Sequence, residues 1–297
     1  IVENDDYERS FADLAGGWRN SQGAGIHGSL RYATDERGAP GPFGADPGGT
    51  YSGIDLVARG VNDRWLMSMG GAAAAGRARI NGEATHSRLD SEFASQFGDS
   101  ESYSRRTTAR FLVDTTFARG LEASAGVELL GESAGGTFIT ATGNQLVPVE
   151  RGIAGFFGEA RWNRADRLFL AAGLRVDRIT REALAGDADA FAPRPPFESD
   201  TVVSANPKVA AAWVLGATDG NFTKLRASAG TGIRPPDAFE IAFTDNPSLE
   251  PERSRSFDAG VEQALFGGRG LVEGTVFFNN YDDLIVATGS QANVRAA

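Results

Sequence analysis

The sequence contains no cysteine. Disulfides and thiolate metal sites are excluded, while passage through an oxidising compartment stays chemically permitted. Histidine occurs only twice, at His27 and His86. His27 falls in an alternating segment and His86 in a stretch that reads as a long loop; neither is expected to ligate metal, and no cofactor is expected. No apolar run approaches the roughly 18 residues a membrane helix needs. If the chain enters a membrane it must do so as a closed β-barrel, the other way of satisfying backbone hydrogen bonds in lipid. Positive charge is also short: the net charge is −10 and lysine is scarce beside arginine. With no basic stripe and no interleaved aromatics, nucleic acid is not an expected partner. Catalytic constellations are missing too. The run Gly70 to Gly76 lacks both the GxGxxG spacing and a following helix. Asp5-Asp6 and Asp282-Asp283 read as solvated pairs, so an enzyme is not expected.

What the sequence does have is alternation. From Leu168 to Asp177, Leu168, Leu170, Ala172, Leu174 and Val176 fall on one face of a strand. Phe169, Ala171, Gly173, Arg175 and Asp177 fall on the other, because side chains alternate along a strand. The preceding segment behaves alike: Phe156, Gly158, Ala160 and Trp162 oppose Phe157, Glu159 and Arg161. The same pattern recurs around Phe111 and Val113, Val127 and Leu129, Leu225 and Ala227, Phe257 and Val261, and Trp65, Met67 and Met69. Strict alternation over about ten residues is the mark of a tilted strand in a membrane barrel. The chain is predicted to hold about twelve such strands: all-β, an antiparallel transmembrane barrel, spanning residues 1–297 as one domain.

The connections are unequal. Tight turns are predicted near Asn62-Asp63, Arg119-Gly120, Ala165-Asp166, Asp219-Gly220 and Gly267-Gly268. Long loops are predicted over Thr34–Gly49, Gly82–Ser102, Glu132–Glu150, Arg181–Asp200 and Arg234–Arg253. Short turns face the periplasm and long loops the exterior in outer-membrane barrels, which orients the chain. A soluble antiparallel sandwich also alternates. Its core, however, would demand bulky side chains to fill its volume, whereas here charges crowd one face and Gly and Ala are frequent on the other.

One stretch is specific. The run Leu225-Arg-Ala-Ser-Ala-Gly-Thr-Gly232 leads into Ile233, Arg234, Pro235 and Pro236; then come Asn246-Pro247-Ser-Leu249-Glu-Pro251-Glu252, Asp258-Ala-Gly260-Val-Glu262, and Phe278 with Asp283-Leu284-Ile285. This closely resembles the barrel signature of TonB-dependent outer-membrane receptors, with one departure at Asp245, where many members have Gly. The two prolines cannot donate to a ladder, so they end a strand at the outer edge. Asn246-Pro247 starts a turn and Pro251 directs the chain back. These motif residues are expected to shape structure, since a signature shared across receptors of different substrates cannot encode the substrate.

The resemblance implies high-affinity capture of a scarce nutrient, such as a ferric siderophore or cobalamin, and energy supplied by the TonB complex through a plug domain. It also implies a barrel of typically 22 strands embedded in outer-membrane lipid, of which this chain supplies roughly half. No plug, TonB box or terminal aromatic strand is recognised here, so the chain reads as a piece cut at both ends. Ligand contacts are expected from outer loops carrying Asp35, Arg37 and Phe43, Tyr103, and Asp187 and Phe191. The acidic loops are expected to disfavour a strongly anionic ligand. A passive porin-like barrel and a soluble β-rich binding module are the alternatives.

Overall fold

The computed structural model describes residues 3–41, 55–96, 98–137, 141–142, 145–186, 195–242, 244, 246, 248–288 and 293–296. Of the motif and loop residues, Phe43, Asp187, Phe191, Asp245 and Pro247 lie outside the described residues.

Twelve long strands form one sheet in strictly sequential order, every neighbouring pair antiparallel. They are β1 (Tyr7–Arg19), β2 (Gly25–Gly38), β3 (Arg59–Ala75), β4 (Ala78–Ala94), β5 (Ser100–Ala118) and β6 (Leu121–Gly136). There follow β7 (Val149–Arg164), β8 (Leu168–Arg181), β9 (Asp200–Thr218), β10 (Asn221–Arg234), β11 (Glu252–Leu265) and β12 (Gly270–Asp282). A one-turn helix, α1 (Ala238–Ala242), follows β10. Strands β1 and β12 are the two edges.

The register carries the alternation across the sheet. Trp162, Leu170, Ala211, Ala227 and Ala259 stand opposite one another on five successive strands. This outward face remains open: Phe156, Trp213 and Phe278 are all more than half exposed. Lipid, which makes no packing demand of the kind a core makes, is the medium that suits it. All four tryptophans lie on it. Trp18, Trp162 and Trp213 sit near the short turns, and Trp65 stacks with Tyr32 (centroids 4.6 Å apart) toward the long loops. Amphipathic rings at both margins of an apolar band match the two interfaces of a membrane.

Four of the predicted turns, at Arg119-Gly120, Ala165-Asp166, Asp219-Gly220 and Gly267-Gly268, form where expected. At Asp219-Gly220 both residues have positive φ, 51° and 79°, the geometry of a two-residue hairpin turn matched to strand twist. A Cβ on Gly220 would collide with the backbone of Gly267, and the Gly267 amide donates to Asn221 Oδ1 at 3.0 Å. Neighbouring short turns therefore interlock at this end. The Asn163 amide does the same to the Gly120 carbonyl at 2.7 Å.

The first third differs from expectation. Asn62-Asp63 is not a turn but lies inside β3, and the tight turn is at Gly76-Arg77. The predicted long loop Gly82–Ser102 is mostly the hairpin β4–β5, joined by residues 95–99. His86 is accordingly on a strand, its Nδ1 hydrogen-bonded to Thr107 Oγ1 at 2.8 Å. The loop predicted from Thr34 begins later, because β2 continues to Gly38. The cause is physical. Small residues occupy both faces from Gly70 to Ala75, hiding the period, and a hairpin standing above the apolar band is polar on both faces.

Candidate functional site

The face opposite the apolar band carries the charges, and they are paired across strands. Arg175 binds Asp177 (2.8 Å) on its own strand and Glu128 (3.3 Å) two strands away. Phe157 lies beside it, with Arg110 and Arg175 guanidinium carbons 5.0 and 6.0 Å from its ring centroid. Arg226 crosses β11 to pair with Glu273 and to donate to Thr275 Oγ1 at 2.9 Å. It can do so because residue 260 is glycine: a Cβ there would stand 2.9 Å from Arg226 Nε. Glu262 accepts from Lys224 Nζ at 3.5 Å. This wall is studded with ion pairs and small residues, and suits a hydrophilic interior.

At the outer end the signature residues close on one another. Arg234 is held between Glu252 (2.6 Å) and Glu240 (2.7 Å). Asp237 and Glu240 form a reciprocal cap on α1, each side chain accepting the other's amide at 2.8 Å. Glu252 also accepts the Ile285 amide at 2.8 Å, and Leu249 and Ile285 are buried together. Glu252 opens β11 beyond the apolar band. The Arg234 guanidinium holds its carboxyl below the usual range, against the opposing effect of burial, with help from the Ile285 amide. Asn246 makes the turn, its Oδ1 accepting the Ser248 amide (3.0 Å). Pro236 and Pro251 are buried. Asp283 takes a positive φ of 58° that lets the chain turn after β12.

A second group roofs the inward face. Val149, Leu184, Phe197 and Ile241 form a buried apolar cluster, joined by Val147 and Ala238. Leu184 and Phe197 exchange both backbone hydrogen bonds, at 2.9 and 2.8 Å. Arg151 on β7 donates to the Pro236 carbonyl (3.0 Å) while its other nitrogens bind Glu132.

The expected ligand contacts scatter. Asp35 and Arg37 are not in a loop but on β2, facing inward. Asp35 is buried and already engaged by Arg64 and by Asn62 Nδ2 (2.8 Å). Tyr103 is likewise on a strand, β5, and faces outward, its ring 5.1 Å from the Arg105 guanidinium carbon. Its register places it with the lipid-side residues, two positions from Arg105 and away from the interior. Sequence reasoning missed Arg106, Glu132, Arg151 and Arg181, which line the mouth. The signal was charge at the outer ends of charged faces, but only the register brings those ends together.

A family model described as TonB dependent receptor-like, beta-barrel matches residues 2–296. The chain belongs to this family. Membership gives the twelve strands their setting, a receptor-family β-barrel in the outer membrane of a Gram-negative cell. Similar solved structures agree on the fold. The hemophore receptor HasR of Serratia marcescens, solved with its hemophore HasA and heme, superposes with a TM-score of 0.72 at 15% identity, covering 97% of this chain and 49% of that one. The copper transporter OprC gives 0.71 at 14% identity, covering 97% and 48%. The ferric-catecholate import receptor Fiu from K12 E. coli gives 0.70 at 11%, covering 99% and 54%. The chain thus spans about half the length of these receptors. No curated protein sequence matches it. Among the described residues, no group of three or more His, Asp or Glu is placed to hold a metal ion.

Proposed function

We propose that this domain forms about half the barrel wall of a TonB-energised receptor that takes up a scarce small-molecule nutrient. The observation that carries the reading is the inward wall. It is lined by paired charges such as Arg175–Glu128 and Arg226–Glu273, with glycines and alanines between them. Twelve strands do not fill such an interior with their own side chains, and larger barrels enclose a plugged lumen or a channel. The outer signature lock and the roof over the inward face favour a gated lumen over an open pore. The nutrients named for the similar structures are heme, copper and a ferric catecholate; a metal chelate is the class this domain would share. The motif residues act structurally, holding the mouth in shape. Contact with TonB runs through a plug domain seated in the lumen.

The test is uptake in cells that carry the whole receptor as their sole route for iron or cobalamin, with and without functional TonB. Uptake of a chelate only when TonB works is the expected result. Equal uptake without TonB would make the barrel a passive porin. Extraction of the protein without detergent would instead favour a soluble binding module.

A further inference from the structure

The six short connections, with the strand ends that close them, carry six arginines and two carboxylates: Arg19, Arg77, Arg119, Arg164, Arg167 and Arg269 against Asp166 and Asp219. The opposite end has the reverse balance. Residues 181–200 and 234–252 together hold ten carboxylates and three arginines, in a chain whose net charge is −10. The short-turn rim is therefore a basic ring on an acidic protein. All six of its arginines are exposed. Among the described residues none of them is ion-paired, although Arg31, Arg64, Arg175 and Arg226 on the strands each are. Asp166 turns instead to Asn163, whose Nδ2 donates to it at 2.7 Å.

Two features separate this ring from scattered surface charge. The first is its aromatic company. Trp18 precedes Arg19, Phe117 and Trp162 lie two residues before Arg119 and Arg164, and Trp213 stands opposite Leu168, the neighbour of Arg167. Phe266, close to Arg269, is the most exposed large apolar side chain of the described residues, at 78%. Amphipathic rings at a membrane margin mark the depth of the lipid headgroups. An arginine beside them keeps its stem on apolar surface while its guanidinium reaches the headgroup layer. The second feature is that the turns are tied together. Besides the Gly267–Asn221 and Asn163–Gly120 hydrogen bonds, Arg77 reaches across to the Phe117 carbonyl at 3.3 Å. Neighbouring short turns are two strand spacings apart, about 10 Å, so the charges recur at a set interval.

We infer that the short-turn rim is a docking ring for anionic phospholipid of the periplasmic leaflet. The guanidinium groups take phosphate oxygens, which their planar forks match, and the adjoining rings lie against the glycerol and upper acyl chain. A lipid with two phosphates, such as cardiolipin, can engage two neighbouring turns at once. The ring fixes the depth of the barrel in the bilayer, and the acidic end cannot replace it, because phosphates repel carboxylates. An acidic polypeptide in the periplasm would meet the same charges. The aromatic belt decides for lipid, since it sets the arginines at headgroup depth. The inference holds whatever nutrient the receptor takes.

The test uses the whole receptor in vesicles of phosphatidylcholine, alone or with phosphatidylglycerol or cardiolipin. It reads the temperature at which heat-modifiable gel mobility is lost, and the lipid retained on extraction, by mass spectrometry. The expected result is a higher transition temperature with either anionic lipid, retention of that lipid over phosphatidylcholine, and weakening of both by salt. Arg119→Gln, Arg164→Gln, Arg167→Gln and Arg269→Gln combined should abolish the preference, lowering anionic-lipid affinity about fivefold for each arginine removed. Arg119→Lys and its three counterparts should keep most of it, since lysine still binds phosphate as a point charge. Arg9→Gln with Arg79→Gln, at two positions whose register faces them inward, should leave it unchanged. No lipid preference in the parent, a preference that survives the four Gln exchanges, or an equal loss per charge in the inward pair would each overturn the inference. Capture of soluble poly-glutamate without any lipid preference would make the partner an acidic polypeptide, and the inference would fail.

Discussion

Arg151 donates through Nη1 to the main-chain carbonyl of Pro236, 3.0 Å away and 85 positions further along the chain. Its Nε reaches the Glu132 carboxylate at 2.9 Å. One side chain thus ties the loop after β10 to β6 and β7, and the cluster of Val149 and Ile241 packs beside the tie. Arg151→Met would leave two proline carbonyls and most of Glu132 without a donor. A loss of about 1–3 kcal/mol in the local opening free energy is expected. Hydrogen exchange across residues 235–251 checks it, with faster exchange there and no change at the β9–β10 turn. Uniform acceleration over all strands would mean that the tie holds the whole sheet.

Glu252 gives the same region a pH dependence. Its carboxyl is held below its ordinary 4.5 chiefly by hydrogen bonding to Arg234. A carboxylate whose folded value is depressed contributes stability that is fully present above its unfolded value, and that stability is lost as pH falls through the folded value. The mouth should therefore resist proteolysis equally at pH 7 and pH 6 and become progressively cleavable as the pH falls below 4.5, fully so only beneath the lower folded value. Glu252→Gln should be cleavable at pH 7 and show a flatter pH profile. A steep acid transition surviving in that variant would assign the effect to another carboxylate.

Gly260 has a role that its motif does not announce. Its missing side chain is the channel through which Arg226 passes over β11 to Glu273. Gly260→Val would also press on the Gly274 carbonyl, 3.1 Å from the new Cβ. Overpacking of this kind costs about 1–3 kcal/mol. Urea unfolding in lipid vesicles measures it. The cost should shrink when Arg226→Ala is added, because the clash partner is then gone; additive effects would refute the channel.

How much of this was legible beforehand follows from what lipid imposes. Wherever a strand crosses the apolar band, one face must be apolar, so Leu168–Val176 and Phe257–Val261 can be read directly and their register follows. The tight turns at Arg119-Gly120 and Asp219-Gly220 are legible for their own chemistry, since glycine there has positive φ. Above the band the rule lapses. Thr85 and Thr108 face each other inward while His86 and Thr107 face each other outward, all polar, and the hairpin β4–β5 reads as loop. Gly70 to Ala75 fails for the opposite reason, being small on both faces. The mouth depends on pairs far apart in sequence, such as Arg151 with Pro236, which periodicity cannot join. Tyr103 shows the consequence: without its strand, its outward direction could not be known.

The adjacent residues Ala171 and Ala172 test the assignment of faces most directly. They differ in neither size nor chemistry, and stand fourth and fifth in β8, inside the apolar band on its short-turn side. Ala172 faces outward between Ala160 and Val209, and Ala171 faces inward between Arg161 and Ala210. An arginine on the lipid face of a barrel costs about 2–4 kcal/mol at the midplane and about 0–1 near an interface, while lumen substitutions cost little. Ala172→Arg, between interface and midplane, should therefore fold less well into vesicles, with a folding free energy reduced by about 1–2 kcal/mol. Ala171→Arg, placed among ion-paired side chains, should fold nearly as the parent does. Folding yield of the whole receptor, followed by gel mobility, reads both. Comparable losses in the two variants would mean that both faces are packed against protein, as in a sandwich, and the membrane assignment of this strand would fall. Loss at Ala171 alone would mean that the faces are reversed.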